Sequence, residues 1–242
     1  SSDLKHNNMA LHEYDGAGKT YLSIVDGKFR QTVGKGSNRP EGIPEKAVRR
    51  DWKAPDGTEG TKWEMVYNAV DGTIVDMYIK DSEYGKFLNV EFDGGEVIQM
   101  HTDHRYFGDF VKKIASCDIN KPVFVIPYDF EDPKNQDKRI VGVKIVQTGH
   151  GWEKDSAPDF FYDFEKKKNI NGFPKSGHTK EKPYDKDDWK EYFLGVKKFL
   201  IAYLTLSIIP NIKVKEAPVE EKETINLEDP GEEKPKLEDV PF

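Results

Sequence analysis

The chain has 242 residues, 36% of them hydrophobic, 33% charged and 12% aromatic, with a formal net charge of −7. These proportions exclude a chain that is disordered or fibrous throughout and fit a globular protein of about one sizeable domain. The single cysteine, Cys117, excludes an intrachain disulfide and a cysteine-based zinc site, and it fits a reducing compartment.

Ser1 to Asn8 precede a methionine at position 9 that is able to serve as initiator, and they are set aside from the fold reading as an expected expression remnant. Gly16-Ala-Gly-Lys-Thr20 has the ending of a phosphate-binding loop, but the position that needs the first glycine is Glu13. A carboxylate there repels phosphate, and no apolar strand leads in, so nucleotide hydrolysis is not expected. Tyr21 to Val25 and Lys28 to Val33 flank Asp26-Gly27 and predict a β-hairpin with a two-residue turn. The segment from Gly34 to Gly60, rich in Gly, Pro and charge, predicts a long loop. Lys28 to Lys53 contains eight Lys or Arg against three Asp or Glu, an excess of +5.

Strands then follow closely. Lys62 to Val70 and Thr73 to Lys80 are divided by Asp71-Gly72, and Lys86 to Phe92 and Glu96 to His101 by Asp93-Gly94-Gly95. Alternation puts Val75, Met77 and Ile79 on one face of their strand, with Tyr78 and Lys80 on the other; Leu88, Val90 and Phe92 likewise oppose Phe87 and Asn89. Phe107, Phe110, Val111 and Ile114 recur at helical spacing and predict a helix from about Tyr106 to Cys117. Val123 to Tyr128 and Arg139 to Gln147 predict two more strands around a polar turn from Glu131 to Lys138.

The order strand, strand, strand, helix, strand, strand is that of an OB-fold, a five-stranded Greek-key barrel that binds oligonucleotides on an exposed strand face. The expected fold class is therefore mainly β with α additions. Its barrel core covers about residues 62–148, and the N-terminal hairpin and a C-terminal helix are additions. Asp185 or Asp187 caps that helix, from about Asp188 to Leu206, whose stripe of Trp189, Tyr192, Phe193, Val196, Phe199, Leu200 and Tyr203 is expected to pack on the barrel. The greasiest run, Phe199 to Ile209, is too short for a bilayer, which needs about 20 residues. No membrane partner is expected.

Residues 9–215 thus form one domain and 216–242 an acidic tail. Glu216 to Phe242 holds ten Asp or Glu and three Lys, so it carries the whole net charge of the chain. With Pro218, Pro230, Pro235 and Pro241 and few large apolar residues, it is expected to be disordered. It ends in Leu237, Glu238, Asp239, Val240, Pro241 and Phe242, a carboxylate pair followed by an apolar hook. Such a segment suits a partner with a small apolar pocket and a basic rim.

Asp239, Val240, Pro241 and Phe242 match the tip of bacterial single-stranded DNA-binding proteins, with Glu238 in place of an Asp. Together with the strand order, the cation-rich segment, Gly85 after Glu83-Tyr84, and Pro127-Tyr128, the chain resembles a phage-type single-stranded DNA-binding protein. The resemblance implies a non-enzymatic protein that coats single strands in replication, recombination and repair. Its tip would recruit polymerase, helicase, primase or nuclease partners, and would lie on the DNA groove as a phosphate mimic when DNA is absent. The cytoplasm, that of the host if the chain is phage-encoded, is its expected location. Extra segments outside the barrel favour a monomer or dimer over the bacterial tetramer.

Unpaired nucleotides are held by rings for the bases and cations for the backbone. The expected DNA-binding set is a clamp of Lys28, Arg30, Lys35, Arg39, Arg49, Arg50, Trp52 and Lys53, with a platform of Tyr78, Lys80, Phe87 and Lys144. No cofactor is expected. Two alternatives stand beside this reading: an RNA-binding OB protein, and a metal-dependent nuclease built on His101, Asp103 and His104. The latter needs three or four convergent ligands, and no second ligand cluster is visible. A third is an assembly adaptor that docks through its tail.

Overall fold

The computed structural model describes residues 18–54, 56–147 and 156–212. The strands are β1 (Thr20–Val25), β2 (Lys28–Lys35), β3 (Val48–Lys53), β4 (Glu59–Tyr67), β5 (Val70–Gly72), β6 (Ile74–Ser82), β7 (Gly85–Phe92), β8 (Glu96–His101), β9 (Val123–Asp132), β10 (Asn135–Val146), β11 (Tyr162–Asp163) and β12 (Lys168–Asn169). The helices are α1 (Arg105–Ile114) and α2 (Lys186–Tyr203), the latter continued by a π-turn at Leu204–Ile208 and a 3-10 turn at Ile209–Asn211. The fold is mainly β with a C-terminal helix. The tail from Glu216 to Phe242, with its expected partner-binding tip, lies outside the described residues.

Seven strands make one sheet in the order β3-β4-β2-β1-β8-β7-β6, and β10-β9-β5 make a second. The hairpin is as expected: Asp26 and Gly27 both have positive φ, +50° and +69°, as the tight turn requires. It is nevertheless no peripheral addition. β1 pairs in parallel with β8, Tyr21 against Val97 and Ser23 against Gln99, so the hairpin occupies the middle of the large sheet. The expected loop from Gly34 to Gly60 contains the edge strand β3, held to β4 by Glu64 opposite Val48 and Lys62 opposite Arg50. Asp71-Gly72, read as a turn, forms β5, which pairs with β9. Only Thr73 separates β5 from β6, and Gly72 makes the bend with φ +147°. One strand thereby serves both sheets.

The core lies between the sheets and α1. Leu22, Phe29, Met77, Leu88, Val90, Ile98 and Met100 line one face of the large sheet, and Val123, Val125, Val143 and Ile145 come from the small one. The α1 residues Tyr106, Phe107, Phe110, Val111 and Ile114 fill the space, as their spacing predicts. Tyr106 fastens the hairpin to the helix, its hydroxyl accepting from the Gly27 N–H at 2.9 Å.

α2 starts at a capping box: Asp185 accepts from the N–H groups of Asp187 and Asp188, and Asp188 accepts from that of Asp185. Leu200, Leu204 and Ile208 enter the core, and Phe199 and Tyr203 pack on Phe160 and Phe161. The stripe does not pack throughout: Phe193 is 59% exposed, and so in large part is Leu194 beside it, at 44%. The helical run Lys186–Asn211 is long and apolar enough to cross a membrane by length and composition, more extended than Phe199 to Ile209 alone implied.

Candidate nucleic-acid interface

A side chain in a strand shares its face with its directly paired partner on the next strand. The pairings run Tyr78–Asn89, Asn89–Gln99, Gln99–Ser23, Ser23–Arg30 and Arg30–Val66, from one edge of the large sheet almost to the other. Lys80, Phe87 and His101 form a second row, and Val48, Glu64 and Thr32 a third. All stand on the face opposite the core. Tyr21 joins them, 47% exposed, beside half-buried Tyr78 and Phe87 and exposed Lys80.

Lys28, Arg30, Lys35, Arg50 and Trp52 belong to this face by the same registers, since Lys28 pairs Val25, and Lys35 and Arg50 both pair Lys62. Trp52 lies across Gly60, where an added Cβ would meet the indole at 2.8 Å, and Lys62 Nζ stands 5.5 Å over the same ring. Thus eight of the twelve expected residues share one surface. Arg49 and Lys53 alternate to the opposite side of the edge strand, and pair with Asp51 and Glu59. Arg39 caps the Trp63 ring at 5.3 Å, also on that opposite side. Lys144 sits on β10, in the small sheet, away from the others.

The cations of the face differ in what they already hold. Glu64 is 1% exposed and accepts from Arg50 Nε at 2.7 Å, Arg50 Nη2 at 2.6 Å and Arg30 Nη1 at 3.2 Å. Burial pushes its carboxyl up, but the hydrogen bonds from Arg50 and the charges of both guanidinium groups outweigh this and hold it below the ordinary value. Two expected phosphate contacts are therefore neutralised in part by one buried anion. Lys19 pairs Glu91 at 2.6 Å. Lys28 donates to Asn68 at 2.7 Å, whereas Lys35 and Lys80 make no ion pair among the described residues. Sequence alternation had found Tyr78, Lys80 and Phe87; it missed Tyr21 and Glu64, because only the parallel β1–β8 pairing and the unforeseen β3 bring them to this surface.

His101, Asp103 and His104 do not converge. The His101 Nε2 bonds the Tyr84 carbonyl at 2.9 Å, its Nδ1 accepts from the Asp103 N–H at 3.1 Å, and Asp103 forms an ion pair with Lys197. His104 caps α1, its Nδ1 accepting from the Tyr106 N–H, and its ring stacks on Tyr106 at 4.6 Å; desolvation holds its pKa below the ordinary value. No group of three metal-ligating side chains occurs among the described residues. Burial pushes the Cys117 thiol up to about 12, which leaves it protonated and unreactive at neutral pH.

Trp189 and Phe193, expected to pack on the barrel as part of the α2 stripe, instead join a ring cluster with His178 and Tyr184 at the start of α2. Trp189 stands 5.1 Å from Tyr184, 5.3 Å from His178 and 5.6 Å from Phe193. No protein-family model, no curated protein and no solved structure matches the chain.

Proposed function

We propose that the protein binds single-stranded nucleic acid, DNA in the first instance, across the open face of the large sheet, without catalysing a reaction. The observation that carries this reading is the shared face itself: Tyr21, Tyr78, Phe87 and Trp52 offer rings for bases, while Lys28, Lys35, Lys62 and Lys80 supply charge beside them. An OB-like Greek key is the finer fold proposal. Its support is the strand divided at Thr73, which pairs with β7 through β6 and with β9 through β5, ahead of a helix between the third and fourth strands. The large sheet extends that unit through β1 to β4. The tip from Leu237 to Phe242 is proposed to recruit replication proteins in the cytoplasm.

The test is a titration of a labelled dT oligomer by anisotropy at two salt concentrations. Affinity falls with salt, with a logarithmic slope of about −0.7 for each phosphate neutralised. Tyr78→Ala weakens binding by about 5- to 150-fold, from the roughly 1 to 3 kcal/mol that stacking on one ring contributes. Lys144→Ala, on the other sheet, leaves it unchanged. No binding at low salt refutes the proposal, and so does an equal loss in the two variants. Equal affinity for a matched RNA shifts the reading to RNA.

A further inference from the structure

An apolar groove of about 660 Å³ runs between α1 and α2, beside the turn at Thr102–His104 that follows β8. Phe107 and Leu200 form its floor, and Phe193 and Leu194 its outer wall. Both outer residues are markedly exposed, so this side of α2 is left partly uncovered. Arg105 and Lys190 stand on the rim, and neither forms an ion pair among the described residues. Lys197 and Asp103, also at the rim, satisfy one another. The net charge offered to a ligand by these four side chains is therefore positive.

We propose that this groove is the docking site of the chain's own segment Leu237–Phe242. The segment presents three apolar side chains, Leu237, Val240 and Phe242, around the acidic pair Glu238-Asp239. It matches the groove in both respects: apolar side chains for the Phe193–Leu194 wall and carboxylates for Arg105 and Lys190. The open sheet face is the poorer host for an acidic segment, because Glu64 and Glu91 already hold three of its cations, Arg30, Arg50 and Lys19. Reach is ample. Leu194 lies 18 residues before Ile212, about 27 Å at 1.5 Å per helical residue. Residues 213–236 span as much as about 80 Å when extended. Docking in this way withholds the segment until a partner with a better pocket displaces it. The inference goes beyond nucleic-acid binding and is tested without nucleic acid, so its failure leaves that proposal intact.

The probe is a labelled synthetic peptide of residues 231–242, titrated onto the unaltered chain and three variants of it. Phe242→Ala, whose own segment is disabled, is expected to bind it saturably, and the unaltered chain at least 5-fold more weakly because its groove is occupied. Phe242→Ala combined with Leu194→Asp is expected to bind at least 10-fold more weakly than Phe242→Ala alone; Lys190→Glu in the same background, which reverses the rim charge and leaves the apolar wall intact, is expected to weaken binding as well. Equal peptide affinity in the unaltered and Phe242→Ala chains overturns docking within one chain, as does a concentration-dependent dimer that Leu194→Asp abolishes. Undiminished binding in both groove variants overturns the site.

Discussion

Replacing Glu64 by Gln removes the anion that joins β2, β3 and β4. Its carboxylate is 1% exposed and takes hydrogen bonds from Arg30 at 3.2 Å and from Arg50 at 2.6 and 2.7 Å. Breaking a buried ion pair from one side costs about 3 to 5 kcal/mol, because the surviving charge stays desolvated. Here the guanidinium side chains are 15% and 24% exposed, and Gln keeps one acceptor oxygen, so the cost falls to the bottom of that range or just below it, about 2 to 3 kcal/mol. For a protein of this size that lowers Tm by about 5 to 10 °C. Urea unfolding measures it, with Glu59→Gln as control, since the exposed Lys53–Glu59 pair contributes at most about 1 kcal/mol. A folded-state pKa below the unfolded one stabilises above the unfolded value and ceases to do so as pH falls through the folded value. The difference between wild type and Glu64→Gln is thus full above about pH 5 and shrinks on acidification through the region below about pH 4.3. The reasoning is refuted if Glu64→Gln costs no more than Glu59→Gln, or if the gap widens in acid. Under the proposed function, the same substitution raises affinity for single strands and steepens the salt slope by about 0.7, since one positive charge is released.

Gly27→Ala forces a side chain into φ +69°, with its Cβ 2.6 Å from the Asp129 nitrogen, and is expected to lower stability by about 2 to 4 kcal/mol; a urea midpoint within error of wild type contradicts this. Asp185→Ala removes the capping box of α2 and costs about 1 kcal/mol, read by the same unfolding curve, while a loss above about 3 kcal/mol would assign Asp185 more than a cap.

The open sheet face shows how far strand periodicity carries. Tyr78 opposite Met77 in facing, and Phe87 opposite Leu88, were legible because each strand alternates cleanly and a two-fold repeat leaves no other choice. The edge strand β3 was not legible. Val-Arg-Arg-Asp-Trp-Lys has no apolar face to signal burial, and its Arg50 becomes a strand residue held from across the sheet by Glu64 on β4. The clamp on the sequence was therefore split by the fold: Arg30, Arg50 and Trp52 turned toward the open face, Arg49 and Lys53 away from it.

Local chemistry alone determined the hairpin turn at Asp26-Gly27, the spacing of α1, the cap at Asp185 and the concentration of acid after Glu216, because each depends on residues within a few positions of one another. Only the tertiary structure decided that β1 lies in parallel against β8, that one bent strand serves two sheets, and that Glu64 meets two arginines. Those outcomes depend on which distant segments bury each other's apolar faces, and a period read along the chain contains no record of the partner.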